Sequence, residues 1–377
     1  MLSFWEKDSY YADADIVIIG AGLMGLWSAY ELKKAAPSIS ITILEKNATP
    51  LGASTRNAGF ACFGSLTELI SDESSMGTAA MLSIVESRFK GIQKIRANFS
   101  DEAIQYDACG GFEAIQNDHF TAANLDDHIH HLNGLLAPIT GHHQTFCNVT
   151  KQMNQYGVKG FDHLVYNSFE AGIHSGKLVN ELTSKVLALG VRIINGIEVK
   201  GWIRTAESFT LTTQFGQTIK AKQVIACMNG FTQNLLPQLN IAPARGQILL
   251  TKPIDGLVLK GTFHFDEGFY YWRNIGNRIL IGGARNLDFA NEQTTNLTGS
   301  DKIRNHLAQF LANYIDTKQP IEIEQYWSGI MGFTPNKEPL CTWVEPNILA
   351  VIACNGMGVA LTPIVAEKVA AMVLAND

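Results

Sequence analysis

No CxxC pair occurs among the six cysteines, Cys62, Cys109, Cys147, Cys227, Cys341 and Cys354. That absence removes the usual spaced zinc and dithiol frameworks and leaves buried free thiols as the expectation. His128, His130, His131, His142 and His143 crowd one polar segment, but they lack HExxH spacing and a carboxylate-backed helical HxxxH pair, so no metal is expected. Basic charge is short as well. Lys and Arg number 29 against 35 Asp and Glu, a net charge of −6, which excludes a general basic field for nucleic acid. No apolar run approaches the roughly 20 residues a membrane helix needs, and the first fifteen residues, MLSFWEKDSYYADAD, have no basic stretch followed by an apolar core. The expectation is a cytoplasmic protein with no membrane span. Repeats and low-complexity segments are also missing, while 377 residues, 46% hydrophobic and 17% charged, suffice for two domains with separate cores.

What is present begins with Ala14 to Lys46, ADIVIIGAGLMGLWSAYELKKAAPSISITILEK. Ile16 to Ile19 are apolar and β-branched without polar alternation, the pattern of a parallel strand buried on both faces. The run Gly20, Ala21, Gly22, Leu23, Met24, Gly25 follows at once. Its first glycine permits a tight turn, the second lets backbone approach a pyrophosphate, and the third lets the next helix pack on the strand. That helix ends before Pro37, and a second strand over residues 39–44 leads to Glu45 and Lys46. Glu45 stands twenty residues after Gly25, where a carboxylate accepts the hydroxyls of an adenosine ribose and repels a 2′-phosphate, so NADP is disfavoured. NAD and FAD both remain open at this point.

The next loop, Gly52-Ala-Ser54-Thr55-Arg56-Asn57-Ala-Gly59, places hydroxyls, backbone N–H groups and one cation beside the dinucleotide unit. GAGLMG with Glu45, followed by GASTRNAG, resembles the D-amino-acid oxidase type of FAD-dependent oxidoreductase, the family of glycine oxidase, sarcosine oxidase and γ-glutamylputrescine oxidase. The resemblance implies that Ser54, Thr55, Arg56, Asn57 and Gly59 contact FAD, and that Val199 holds the adenine through its backbone. It also implies that the C-terminal Asn355-Gly356-Met357-Gly358-Val359 turn, a second glycine-rich helix start, aims N–H groups at the flavin; the larger cofactor needs both sites.

Between these ends, an amphipathic pattern from Met76 to Phe99 predicts a helix, and residues 105–115 a short strand pair. A helix from Leu178 to about Leu189 stops at Gly190, with strands over 191–194 and 197–200 side by side. A hairpin over 209–221 then precedes a separate buried strand over 223–227. PARGQIL at 243–249 is similar to a strand that opens the second half of the family's substrate domain; FYYWR and RILIGGAR, at 269–285, read as two antiparallel strands, and the resemblance implies that their sheet covers the flavin's substrate face. Tyr271, Arg273 and Arg285 are therefore candidates to line the pocket, and Arg245, Tyr271 and Arg285 are the candidate substrate contacts. In the YWSGIMGFTP segment, glycine-oxidase-like members carry a carboxylate-clamping arginine and sarcosine oxidases a flavin-linked cysteine. Here Met331 takes the place, which implies non-covalent FAD and a substrate other than a plain α-amino acid.

The fold expected is α/β: an FAD-binding Rossmann-like domain of the glutathione-reductase type, interleaved with a mixed-sheet α+β substrate domain. The FAD domain is expected at 1–79, 158–230 and 336–377, and the substrate domain at 80–157 and 231–335. The implied reaction is oxidation of the C–N bond of an amine or N-substituted amino acid, with oxygen as electron acceptor. Alternatives are a dehydrogenase with another acceptor and a flavin domain acting on tRNA.

Overall fold

In the computed structural model every residue except Asn336, Ala353 and Asp377 is described. The chain forms two compact units, and it passes between them at 55/56, 175/176, 244/245 and 329/330. The expected domain limit at 336 and one residue of the expected strand at 348–354 lie outside the described residues.

Unit 1, residues Met1–Thr55, Gly176–Ala244 and Ile330–Asp377, is built on an eight-stranded sheet. Its centre is parallel, in the order Ile348–Ile352, Thr218–Ala226, Ala14–Ile19, Ile41–Glu45 and Arg192–Asn195, with Leu340–Glu345 antiparallel at one edge. Helices Leu23–Ala35 and Gly358–Leu374 pack on each other. Each starts just beyond the C-terminal end of a parallel strand, so both helix N-termini rise from the same edge of the sheet, where ligands bind in open α/β folds.

Two elements in this unit differ from expectation. Thr218–Ala226 is one continuous strand, because its first half alternates buried and exposed against Phe209–Thr213 while its second half is buried between two parallel neighbours. The change of hydrophobic period makes one strand read as two. Val199–Arg204 pairs with Phe209–Thr213 and not with Arg192–Asn195, so the expected neighbours at 191–194 and 197–200 are not partners.

Unit 2, residues Arg56–Ser175 and Arg245–Gly329, holds a second sheet, mixed and eight-stranded. The predicted hairpin is present as Tyr270–Ile275 and Arg278–Gly283. Thr262–Phe265 joins it antiparallel on one side and Gly111–Ile115 parallel on the other. The strand pair expected over 105–115 is a correction. Only Gly111–Ile115 is a strand, and its antiparallel partner His163–Asn167 lies about fifty residues on, a non-local pairing that local pattern cannot register. The core under the sheet joins Phe263, Trp272, Ile279 and Ile281 to Ile303, Leu307, Phe310 and Leu311 of the helix Asp301–Tyr314. The expected helix near 76–99 is Thr78–Asn98. Residues 56–79 belong to this unit because Phe60–Ala61 pairs with Ala171–Gly172 and Glu113 accepts from Thr67 at the start of helix Leu66–Met76.

Candidate active site

In unit 1 the turn after the first strand is built so tightly that glycine alone fits. A Cβ on Gly20, whose φ is +108°, would stand 2.7 Å from the Cys227 carbonyl oxygen, and one on Gly25 would stand 2.0 Å from that of Gly20. Helix Leu23–Ala35 therefore begins directly against the strand, and its positive end faces the turn. Ser54 reaches over to it: its Oγ accepts from Leu23 N at 2.9 Å. Glu45, buried at the end of the second strand, accepts from Ala21 N at 3.1 Å and from both Asn47 N and Asn47 Nδ2 at 3.0 Å. Ile197 N donates to Glu45 O at 2.8 Å, which brings the start of the Val199 strand to the same place. Lys46 lies over the ring of Phe231, 3.6 Å from its centroid. Thr55 Oγ1 donates to Pro50 O at 2.5 Å. Gly20, Ala21, Gly22, Leu23, Gly25, Glu45 and Ser54 thus meet around one turn.

The second helix start has the same character. Asn355 and Gly356 both take positive φ, 49° and 86°, and Met357 caps helix Gly358–Leu374 without a side-chain hydrogen bond. Asn355 Oδ1 accepts from Thr334 N at 2.9 Å, and Asn229 Oδ1 from Gly332 N at 3.0 Å, so two asparagines pin the Met331 segment. Met331 Sδ stands 4.0 Å from where a Cβ on Gly356 would lie. The Asn-Gly dipeptide at 229–230 is the signal that could have marked Asn229 in the sequence. Burial pushes the Cys354 thiol up to about 12 and raises that of Cys227 further, so both stay protonated.

In unit 2, Arg56 Nη1 donates to Ser328 O at 2.8 Å and Trp327 Nε1 to Arg56 O at 3.1 Å, while the buried Arg56 Nε has no hydrogen-bond partner. Asn57 Oδ1 accepts from Gly59 N at 2.8 Å and from Ser175 Oγ at 2.5 Å. Arg273, buried, donates to the carbonyls of Gly59 and Ile173, and so serves the loop's backbone. Tyr271 packs its ring over Gly282, its ladder partner, where a Cβ would stand 2.4 Å away. Burial pushes its phenol up to about 12, with the nearby Arg285 pulling the other way. Burial also lowers the Arg285 guanidinium, which lies 5.0 Å from the Phe289 ring centroid. Phe60, 6.0 Å from the Tyr271 ring, extends this wall.

Arg245 is placed differently from Tyr271 and Arg285. It makes a bidentate pair with Glu292, Nε to Oε2 at 2.8 Å and Nη2 to Oε1 at 2.7 Å, and also donates to the Asn296 and Thr298 carbonyls. These contacts commit its donors to the protein. Sequence reasoning also missed a buried cluster, Cys62, Glu170 and His264, because the three are far apart in the chain and share no spacing. Burial opposes the His264 cation, but Cys62 and Glu170 override it and hold the imidazole well above its ordinary value.

The donor set fits FAD. In unit 1 the glycine turn leaves no room for a side chain, and the buried carboxylate of Glu45 lies at the strand end, as the ADP end of a dinucleotide requires. A family model described as FAD dependent oxidoreductase (DAO) matches residues 15–372. A curated relative, "Probable oxidoreductase OrdL" of Rhizobium meliloti (strain 1021), is 23% identical over 92% of this chain and 80% of its own length. Among solved structures, L-proline dehydrogenase from P. horikoshii aligns with a TM-score of 0.75 at 17% identity, covering 96% of this chain and 94% of the other. Glycine oxidase from Geobacillus kaustophilus aligns at 0.74 and 18%, covering 96% and 95%. These two likenesses show the α/β fold.

Proposed function

The chain belongs to the DAO family of FAD-dependent oxidoreductases, and from that membership we propose that it oxidises the C–N bond of an amine or N-substituted amino acid. When bound, FAD supplies the two-electron chemistry: it accepts a hydride from the carbon next to nitrogen, leaving an imine that water hydrolyses. The protein binds and orients. Gly20, Ala21, Gly22, Leu23, Met24 and Gly25 form the turn and helix start assigned to the pyrophosphate, Glu45 and Lys46 are assigned to the ribose end, and Val199 to the adenine. Ser54, Thr55, Arg56, Asn57 and Gly59 are assigned to the cofactor as well. Gly356, Met357, Gly358 and Val359 present an uncapped helix start, a fixed positive dipole that favours negative charge on the reduced cofactor. FAD is held without a covalent link, since Met331 carries no nucleophile and burial keeps Cys227 and Cys354 protonated.

The observation that carries the substrate class is the Tyr271–Arg285 pair, a neutral phenol beside a desolvated cation on a sheet wall that includes Phe60. Such a wall suits a small organic substrate with an anionic group, and the related structures carry the titles L-proline dehydrogenase and glycine oxidase. Arg245 orients Glu292, whose charge also acts on Arg285, and we assign it a positioning role. Oxygen is the acceptor we propose, in a cytoplasmic enzyme. Among the described residues no helix is long and apolar enough to cross a membrane.

The test is to purify the protein, record its visible spectrum, and screen amines and amino acids for anaerobic bleaching. Quick reoxidation in air with peroxide formed marks an oxidase; slow reoxidation marks a dehydrogenase. A colourless protein that takes up no FAD would sink the proposal. With an anionic substrate, Arg285→Ala is expected to raise KM about tenfold or more, the loss of one charged hydrogen bond. Unchanged KM would remove Arg285 from the pocket.

A further inference from the structure

The buried cluster in unit 2 is built by two separate ladders. Phe60 pairs with Gly172 and Ala61 with Ala171, so the next positions along that antiparallel pair are Cys62 and Glu170. His264 comes from strand Thr262–Phe265, where it lies opposite Glu113. All three residues are nearly sealed from water, 6%, 2% and 8% exposed, and one ligand-capable atom of each lies within 4.8 Å of the other two.

Buried polar groups are expected to be paired, and here two are not. His264 Nε2 satisfies no hydrogen bond, although Glu170 Oε2 stands 3.4 Å away, and Asn167 Nδ2 is likewise buried without a partner. Both residues line the same small cavity of about 10 Å³, together with Ser65, Glu113 and Glu170. That is close to the room for one water. Glu113 itself is spoken for: it accepts from Ser65 Oγ at 2.8 Å, from Thr67 N at 2.9 Å and from Thr67 Oγ1. What remains is a thiol, an imidazole nitrogen, a carboxylate oxygen and a water-sized space.

We propose that Cys62, Glu170 and His264 bind a zinc ion, with a water in the adjoining cavity as the fourth ligand. A thiolate and a carboxylate cancel the two charges of the ion, which a buried site requires, and sulfur, nitrogen and oxygen together suit zinc. The Cys62 thiol proton and one ring proton of the His264 cation leave to solvent as the metal binds, and no oxidation or reduction takes place. Zinc bonds of about 2.0–2.3 Å set ligand atoms roughly 3.5 Å apart in a tetrahedron, so a pair at the 4.8 Å limit would close by about 1.3 Å. Zinc at this place ties the loop after Phe60–Ala61 to the central sheet of unit 2. The inference does not depend on the cofactor or the substrate.

The experiment is elemental analysis of the purified full-length protein after zinc loading and desalting. About one zinc per chain is expected, falling to background in Cys62→Ser and in His264→Gln. Should the variants fail to fold, cobalt loading of the unaltered protein decides: a thiolate-bound tetrahedral cobalt shows d–d bands to the red of the flavin absorption. Well under one equivalent of zinc in the unaltered protein, the same zinc content in both folded variants, or a cobalt spectrum of the hydrated ion only would each overturn the site. Retention of iron or copper in place of zinc after loading would overturn the choice of metal.

Discussion

Arg245 shows how a residue type can point to substrate and yet be used by the fold. An arginine on a strand beside an aromatic sheet reads as a ligand-binding cation, but this one is buried against Glu292, itself 1% exposed. Removing one partner of a buried pair leaves the other charge without compensation, and Arg245→Met is expected to cost about 3–5 kcal/mol of stability. Urea unfolding measures it, and Glu292→Leu in the same chain should restore most of the loss. Asp15 in unit 1 gives the pH counterpart. Hydrogen bonds from Ser40 Oγ and N, with Lys222 at 2.9 Å, hold its carboxyl at about 2 against an ordinary 3.8. The group binds fewer protons folded than unfolded, so its contribution is complete above pH 4 or so and is lost as pH falls toward 2. Its partial exposure keeps the contribution small. The urea midpoint of the unaltered protein should fall more between pH 5 and pH 3 than that of Asp15→Asn; equal falls would remove Asp15 as a cause.

At the scale of elements, the strand–turn–helix from Ala14 to Ala35 was fully legible, because a continuous apolar run and three spaced glycines each have one structural meaning. Its tightness yields a prediction. Gly25→Ala drives a Cβ into the Gly20 carbonyl, and relief means moving the helix by a strain of about 1–3 kcal/mol. FAD retained through purification, read as the ratio of visible to ultraviolet absorbance, should drop about tenfold or more. The hairpin Tyr270–Ile275 and Arg278–Gly283 was legible for the same local reason, an aromatic run and an apolar β-branched run around a short turn. Arg285 was expected on its second strand, but that strand ends at Gly283, Ala284 turns with φ 58°, and Arg285 opens a short 3-10 helix. The strand Gly111–Ile115 finds both its partners far along the chain, and pairing across such distances leaves no trace in a window of ten residues.

At the scale of the molecule, FAD binding and folding are linked. A ligand held by the native chain alone stabilises it by about 2.7 kcal/mol at a hundred times its Kd. Adding FAD to the stripped protein should therefore raise the melting temperature in a concentration-dependent way, followed by far-ultraviolet circular dichroism. NAD should raise it less, because it shares only the ADP end with FAD and leaves the second helix start at Met357 unused. A rise with NAD equal to that with FAD would reopen the choice of cofactor.

The amino-acid sequence alone determined the cofactor cradle and the class of fold, because Gly20, Gly22, Gly25 and Glu45 act through local backbone geometry within one strand–helix–strand unit. Only the tertiary structure decided which arginine is committed to Glu292, that residues 56–79 pack with the second unit, and that Cys62, Glu170 and His264 meet. The last two outcomes depend on ladders between segments a hundred or more residues apart. The pairing energy of such ladders is set by burial and register across the whole sheet, which no local pattern encodes.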